Sequence, residues 1–129
     1  MKEPIWILDK IVESVHSMLL AEHGGGSGIR DKLLLDSALA RPRQKFSYDS
    51  GISIFDLAAA YSFGVAKNHP FVDGNKRTAF TIGTLFLEIN GFKLNATEVD
   101  ATITIEHLAS DVLKENELSL WFKEHAIKF

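Results

Sequence analysis

The stretch His69-Pro70-Phe71-Val72-Asp73-Gly74-Asn75-Lys76-Arg77-Thr78-Ala79-Phe80 lies between two apolar helical patterns, and its reading divides the chain. Proline disfavours the helical region for the residue before it, so Pro70 restricts His69 to extended backbone and ends the preceding helix. Beyond Arg77, the residues Ala79, Phe80, Ile82, Leu85, Phe86 and Ile89 repeat with helical spacing, so a new helix begins near Gly74. Its first turn holds Asn75, Lys76 and Arg77. Two cations thus sit at the positive end of the helix macrodipole, each unfavourable by about 0.3–1 kcal/mol without a nearby anion. A phosphate would remove that conflict.

Working backwards, Ser53-Ile54-Phe55-Asp56 has the form of a capping box with Asp at the third helical position, and its helix should run to about Asn68. The small and aromatic residues Phe55, Ala58, Ala59, Ser62, Phe63 and Ala66 are the composition expected of a central helix with close neighbours. Working forwards, the helix from Gly74 stops at Asn90-Gly91. It is apolar on more than one face, which predicts the buried central helix.

Further out, Ile5, Leu8, Val12, Val15 and Leu19 predict a first helix over Pro4–His23, with Pro4 at its first position. Gly24-Gly25-Gly26-Ser27-Gly28 fits neither GxxxxGK[ST] nor GxGxxG and reads as a plain loop. Asp31–Ala40 reads as a short second helix with Asp31 as N-cap and Pro42 just beyond its end. Arg41–Gly51, with Arg41, Arg43 and Lys45, has no helical period and is either a solvated loop or a flap. Phe92–Asn95 is too short to build a sheet. Thr97 starts a helix carrying Val99, Ile103, Ile105, Leu108, Val112 and Leu113, and Asn116 divides it from a last helix with Leu118, Trp121, Phe122 and Ile127. The expected fold is all-α, about six helices in one domain over residues 1–129.

Composition narrows the function classes. The 129 residues are 46% hydrophobic with a net charge of −3, which speaks against a general nucleic-acid binder. Without cysteine there is no disulfide and no thiolate metal site. The apolar run before Asp9 is too short for a signal-peptide core or a membrane span, so a soluble cytoplasmic protein is expected.

Within the motif, His69 is the candidate general base, since an imidazole accepts a proton near neutral pH. Asp73 is either the N-cap of the following helix or a magnesium ligand, because magnesium takes one or two carboxylates together with nucleotide phosphates. Gly74 allows close backbone approach, while Asn75, Lys76 and Arg77 can supply an amide, a point charge and a planar fork to phosphates. Phe71 and Val72 read as anchors of the loop on the core, and Thr78 as a hydroxyl that either touches a phosphate or, more commonly, bonds back to its helix. His16, His23, His107 and His125 lack ligand spacing and read as surface or ordinary core residues.

His69 through Ala79 resembles the signature of the Fic/Doc superfamily in its death-on-curing toxin branch. Gly28-Ile29-Arg30-Asp31, Leu34-Leu35-Asp36-Ser37-Ala38-Leu39 and Phe86-Leu87-Glu88-Ile89-Asn90-Gly91 resemble that branch as well. The resemblance implies an α-helical domain that binds ATP and Mg2+, with His69 as base, Asp73 as metal ligand, and Gly74, Asn75, Lys76 and Arg77 cradling phosphates. Adenylylating members carry glycine where this chain has Lys76 and arginine where it has Phe80. Doc-like toxins with the lysine bind ATP reversed and phosphorylate a threonine of translation elongation factor Tu. The implied activity is therefore a protein kinase, with AMP transfer or an inert binding module as alternatives. Thr102–Glu106 is the nearest match to the inhibitory signature of some Fic proteins, but His107 follows it. No built-in inhibitor is expected, and a separate antitoxin takes that place.

Overall fold

In a computed structural model covering residues 1–129, the Ser53 hydroxyl accepts the N–H of Asp56 at 3.1 Å, and the Asp56 carboxylate accepts the N–H of Ser53 at 3.0 Å. This reciprocal box starts α3 (Ile54–Asn68), which runs to the predicted end. Leu57 through Ser62, Gly64 and Val65 are all buried. The run of alanines and Gly64 let α2 (Lys32–Tyr48) approach closely: a Cβ on Gly64 would stand 3.1 Å from the Ala38 carbonyl oxygen. On the other side α4 (Asn75–Ile89) brings Gly83 against Ser62 and the Ala58 carbonyl. Of the two helices expected to be central, α3 holds the middle of the domain, packing also on α6 (Glu115–His125), and α4 lies to one side of it. Apolarity on several faces of α4 reflects partial cover by α1 (Asp9–His23), α5 (Glu98–Ala109) and β1 (Phe92–Leu94).

Helix α1 starts at Asp9 rather than Pro4, because tertiary bonds hold the preceding residues extended. Asn90 brackets Ile5, accepting its N–H at 2.8 Å and donating to its carbonyl at 3.0 Å. Ile7 is buried, and its N–H donates to the Tyr61 hydroxyl. Trp6 stacks on Phe86 and meets Phe46 edge-on.

Asp31 caps α2 as expected, accepting the Leu34 N–H at 3.0 Å, but the helix passes through Pro42 to Tyr48. A proline inside a helix costs about 3 kcal/mol. Here Pro42 is buried in one strip with Leu35, Ala38 and Leu39. Arg41 and Lys45, one turn apart, both pair with Glu115 at the start of α6, and the Arg43 guanidinium lies over the Trp6 ring. The segment read as loop or flap is thus a helix whose cations tie elements together.

The remaining boundaries shift for similar reasons. Phe92–Leu94 does find a partner, pairing antiparallel with β2 (Ala126–Lys128) in the register Lys93↔Ile127. Ile127 accordingly lies in a strand and not in the last helix. Thr97 caps α5 as expected, accepting the Asp100 N–H, but the helix ends at Ala109: Asp111 is left-handed at φ 66°, and the N–H groups of Val112 and Leu113 both turn back to the His107 carbonyl. Helix α6 begins at Glu115, where Glu117 accepts the Lys114 N–H at 2.8 Å, so Asn116 lies in its first turn and divides nothing. The all-α architecture of six helices stands, with the two-stranded ribbon added. No helix is long and apolar enough to cross a membrane.

Candidate functional site

His69 leaves the end of α3 in the left-handed region, φ 50° and ψ 53°, and not extended as Pro70 alone predicts. Such a backbone costs a non-glycine residue about 1–3 kcal/mol and persists only when its surroundings hold it. Here they do. The His69 N–H closes α3 on the Val65 carbonyl at 3.1 Å, and the Arg30 Nε donates to the His69 carbonyl at 2.8 Å. The Arg30 guanidinium also donates to the Asn68 carbonyl, while the backbone N–H groups of Arg30 and Asp31 both donate to the Pro70 carbonyl. A cation placed on the terminal carbonyls of α3 is also favoured by the helix dipole.

The loop then plunges and returns. Phe71 is fully buried and stacks on His16, with centroids 3.8 Å apart and planes 11° from parallel. Val72 is not the second anchor: it is exposed and lies over Gly26, its N–H donating to the Gly28 carbonyl. The glycine segment is more than a connection, for the Gly26 N–H donates to Asp73 Oδ2 at 3.3 Å. Gly25, at φ 122°, passes so close that a Cβ there would stand 2.8 Å from the same oxygen.

Asp73 does not cap α4; Gly74, at φ 77°, holds the N-cap position. The Asp73 carboxylate accepts the Gly74 N–H at 2.8 Å through its other oxygen. The Gly74 N–H first, then the Gly26 N–H, hold this carboxyl below the usual carboxylate range. The Asp73 carbonyl accepts from His16 Nε2 at 2.8 Å. His16 is therefore part of the site's support, and sequence reading passed over it. Its signal was its place one turn after Val12 on the buried face of α1.

Asn75 is buried, with its amide bonded to the N–H and carbonyl of Phe71, both at 3.0 Å, and with Nδ2 3.2 Å from His69 Nδ1. Lys76 reaches across to Glu106 on α5, 3.1 Å away. Arg77 makes no ion pair. Thr78 neither lines the cavity nor bonds back to its helix; its hydroxyl is buried without a partner. Phe80 turns away from the site toward Trp121 and Phe122.

Every residue singled out for chemistry, namely His69, Asp73, Gly74, Asn75, Lys76 and Arg77, lines one cavity of about 380 Å³. Thr102, Ile105 and Glu106 form its far wall, which sequence reading did not place there. The first backbone N–H of α4 with a main-chain partner is that of Thr78, bonded to the Gly74 carbonyl at 3.0 Å, so the preceding N–H groups are open to an anion. The donor set suits magnesium: one exposed, ionised carboxylate beside a helix N-terminus whose first N–H groups have no main-chain partner, with Glu106 committed to Lys76.

Residues 6–87 match the Fic/DOC family. Toxin Doc of Mycolicibacterium smegmatis (strain ATCC 700084 / mc(2)155) is 46% identical over 74 residues, 57% of this chain and 57% of that protein. Protein kinase doc of Escherichia phage P1 is 28% identical over 92 residues, 71% of this chain and 73% of that protein. The chain thus spans little more than half the length of the first relative.

Proposed function

This chain belongs to the Fic/DOC family, and from that premise we propose that it is a Doc-like toxin acting as an ATP-dependent protein kinase. The γ-phosphate of ATP goes to a Ser or Thr hydroxyl of a translation factor, elongation factor Tu by resemblance, and a cognate antitoxin restrains the activity. The observation that carries this reading is the convergence of His69, Asp73, Lys76 and Arg77 on one cavity at the open N-terminus of α4. The names of the two relatives, a toxin and a protein kinase, point the same way.

The parts meet what phosphoryl transfer asks for, which is positioning and neutralised charge more than covalent chemistry. The N–H groups of the first turn, Lys76 and Arg77 bind phosphate oxygens. Asp73 would hold Mg2+, which supplies charge neutralisation at the phosphates when bound. His69 lines the cavity beside them and handles the proton of the target hydroxyl. Lys76 and Phe80 decide against AMP transfer in this reading: Lys76 fills the space a glycine would leave, and Phe80 is packed on Trp121 and Phe122 where the adenylylating pattern has a phosphate clamp.

The test is incubation with α-labelled or γ-labelled ATP in the presence of elongation factor Tu. Label from the γ position alone is expected; label from the α position would replace this reading with nucleotidyl transfer. Expression should arrest growth, and His69→Ala should relieve the arrest with the protein still folded. Relief absent, the chain is a binding module. Asp73→Ala with full Mg2+-dependent activity would remove the metal assignment.

A further inference from the structure

Asn75 is 3% exposed, and its amide is oriented by the chain around it. The Phe71 N–H donates to Oδ1 at 3.0 Å, and Nδ2 donates to the Phe71 carbonyl at 3.0 Å. Exchanging the two ends of the amide would set donor against donor and acceptor against acceptor at once, so the network itself determines which end is which. The second proton of Nδ2 is left for His69 Nδ1, 3.2 Å away. Only a ring nitrogen with a free lone pair receives it, and a neutral imidazole with Nδ1 unprotonated carries its proton on Nε2.

We propose that Asn75 is a positioning residue that holds His69 as the Nε2–H tautomer, so that the ring nitrogen left for the cavity donates a hydrogen bond in the resting chain and gains a lone pair only when the Asn75–Nδ1 contact is broken. The catalytic meaning rests on the kinase reading above. In that reaction the target oxygen bonds to phosphorus as the bond from phosphorus to the leaving diphosphate breaks, and the hydroxyl proton needs an acceptor. The Nε2–H ring has none to offer at Nε2; it donates to a phosphate oxygen instead. A ring that accepts at Nε2 carries its proton at Nδ1 and needs an acceptor there, which the Asn75 amide supplies only by turning over and giving up both bonds to Phe71. Because Phe71 is buried against His16, the amide is held as it is, and the exposed His69 ring gains its Nε2 lone pair by moving off Asn75.

The tautomer is read without turnover, from long-range proton–nitrogen correlations of the imidazoles in the 15N-labelled full chain at neutral pH, with His69 assigned by its absence in His69→Gln. In the wild type, Nε2 should show as the protonated nitrogen and Nδ1 as the bare one. Asn75→Ala should raise the Nδ1–H share. Asn75→Asp, which keeps an acceptor for the Phe71 N–H and turns an acceptor toward the ring, should make Nδ1–H the main form. Nδ1–H as the main wild-type form overturns the proposal, whether or not either variant folds. So does a folded Asn75→Asp that keeps the wild-type pattern. A chain with the Nε2–H ring that transfers no phosphate would overturn the kinase reading and leave this inference standing.

Discussion

His16 Nε2 lies 2.8 Å from the Asp73 carbonyl oxygen while the same ring stacks on Phe71, so one α1 side chain supports the site loop at two points. Removing it with His16→Ala leaves a ring-sized void and a carbonyl without its partner, and should lower the unfolding free energy by roughly 2–4 kcal/mol. His16→Phe keeps the stack and loses only the bond, about 1 kcal/mol. Urea midpoints at unchanged m-value separate the two.

Glu106 holds Lys76 at 3.1 Å, and in the proposed kinase a phosphate would compete with it for that cation. Both side chains are about half exposed, so the pair is worth at most about 1 kcal/mol, equivalent to roughly fivefold in affinity. Glu106→Gln should therefore tighten ATP binding up to about fivefold, whereas Lys76→Ala should weaken it. Titration calorimetry at two salt concentrations reads both effects, and the gain in Glu106→Gln should shrink at high salt.

Arg30 holds the carbonyls of Asn68 and His69 and thereby the left-handed backbone at the proposed base, His69. Arg30→Ala should cost about 1–3 kcal/mol of stability and lower kcat by at least tenfold, with KM for ATP little changed, because it touches no phosphate. Arg30→Lys cannot fork to two carbonyls and should recover only part of the rate. An unchanged kcat in either variant would remove Arg30 from this role.

Asp56 joins the start of α3 to Ser119 on α6 at 2.6 Å. Partial burial pushes its carboxyl up, but the Ser119 hydroxyl and the Ser53 N–H and hydroxyl outweigh it and hold it below 3.8. A depressed folded value means that its stabilisation is complete above the unfolded value and is lost as pH falls through the folded one. Thermal unfolding should show Asp56→Asn less stable than wild type at neutral pH, with the gap closing as pH falls below 3.8. A gap that widens on acidification would contradict the assignment.

Elements whose causes are local were legible in the sequence. The Ser53–Asp56 box, the Asp31 and Thr97 caps, the stop at Asn90 and the helical periods on both sides of His69 all act within a few residues. What misled were places where a distant partner overrules the local preference. Pro4 and Pro42 are proper helix boundaries by propensity, yet Asn90 and Tyr61 keep the arm before Asp9 extended, and burial of Pro42 with paired cations carries α2 onward.

The sequence by itself determined the family signature, the all-α class and the residues at the helix start that can meet a phosphate, because these follow from residue type and short spacing. Only the tertiary structure decided how His69 is presented. Arg30, His16 and Glu106 reach the motif across separations of 39, 57 and 30 residues, and no periodicity encodes a bond between side chains so far apart. Even Asn75, six residues from His69, needed the folded loop: its amide takes a direction only when Phe71 is buried and its N–H and carbonyl are held at opposite ends of that amide.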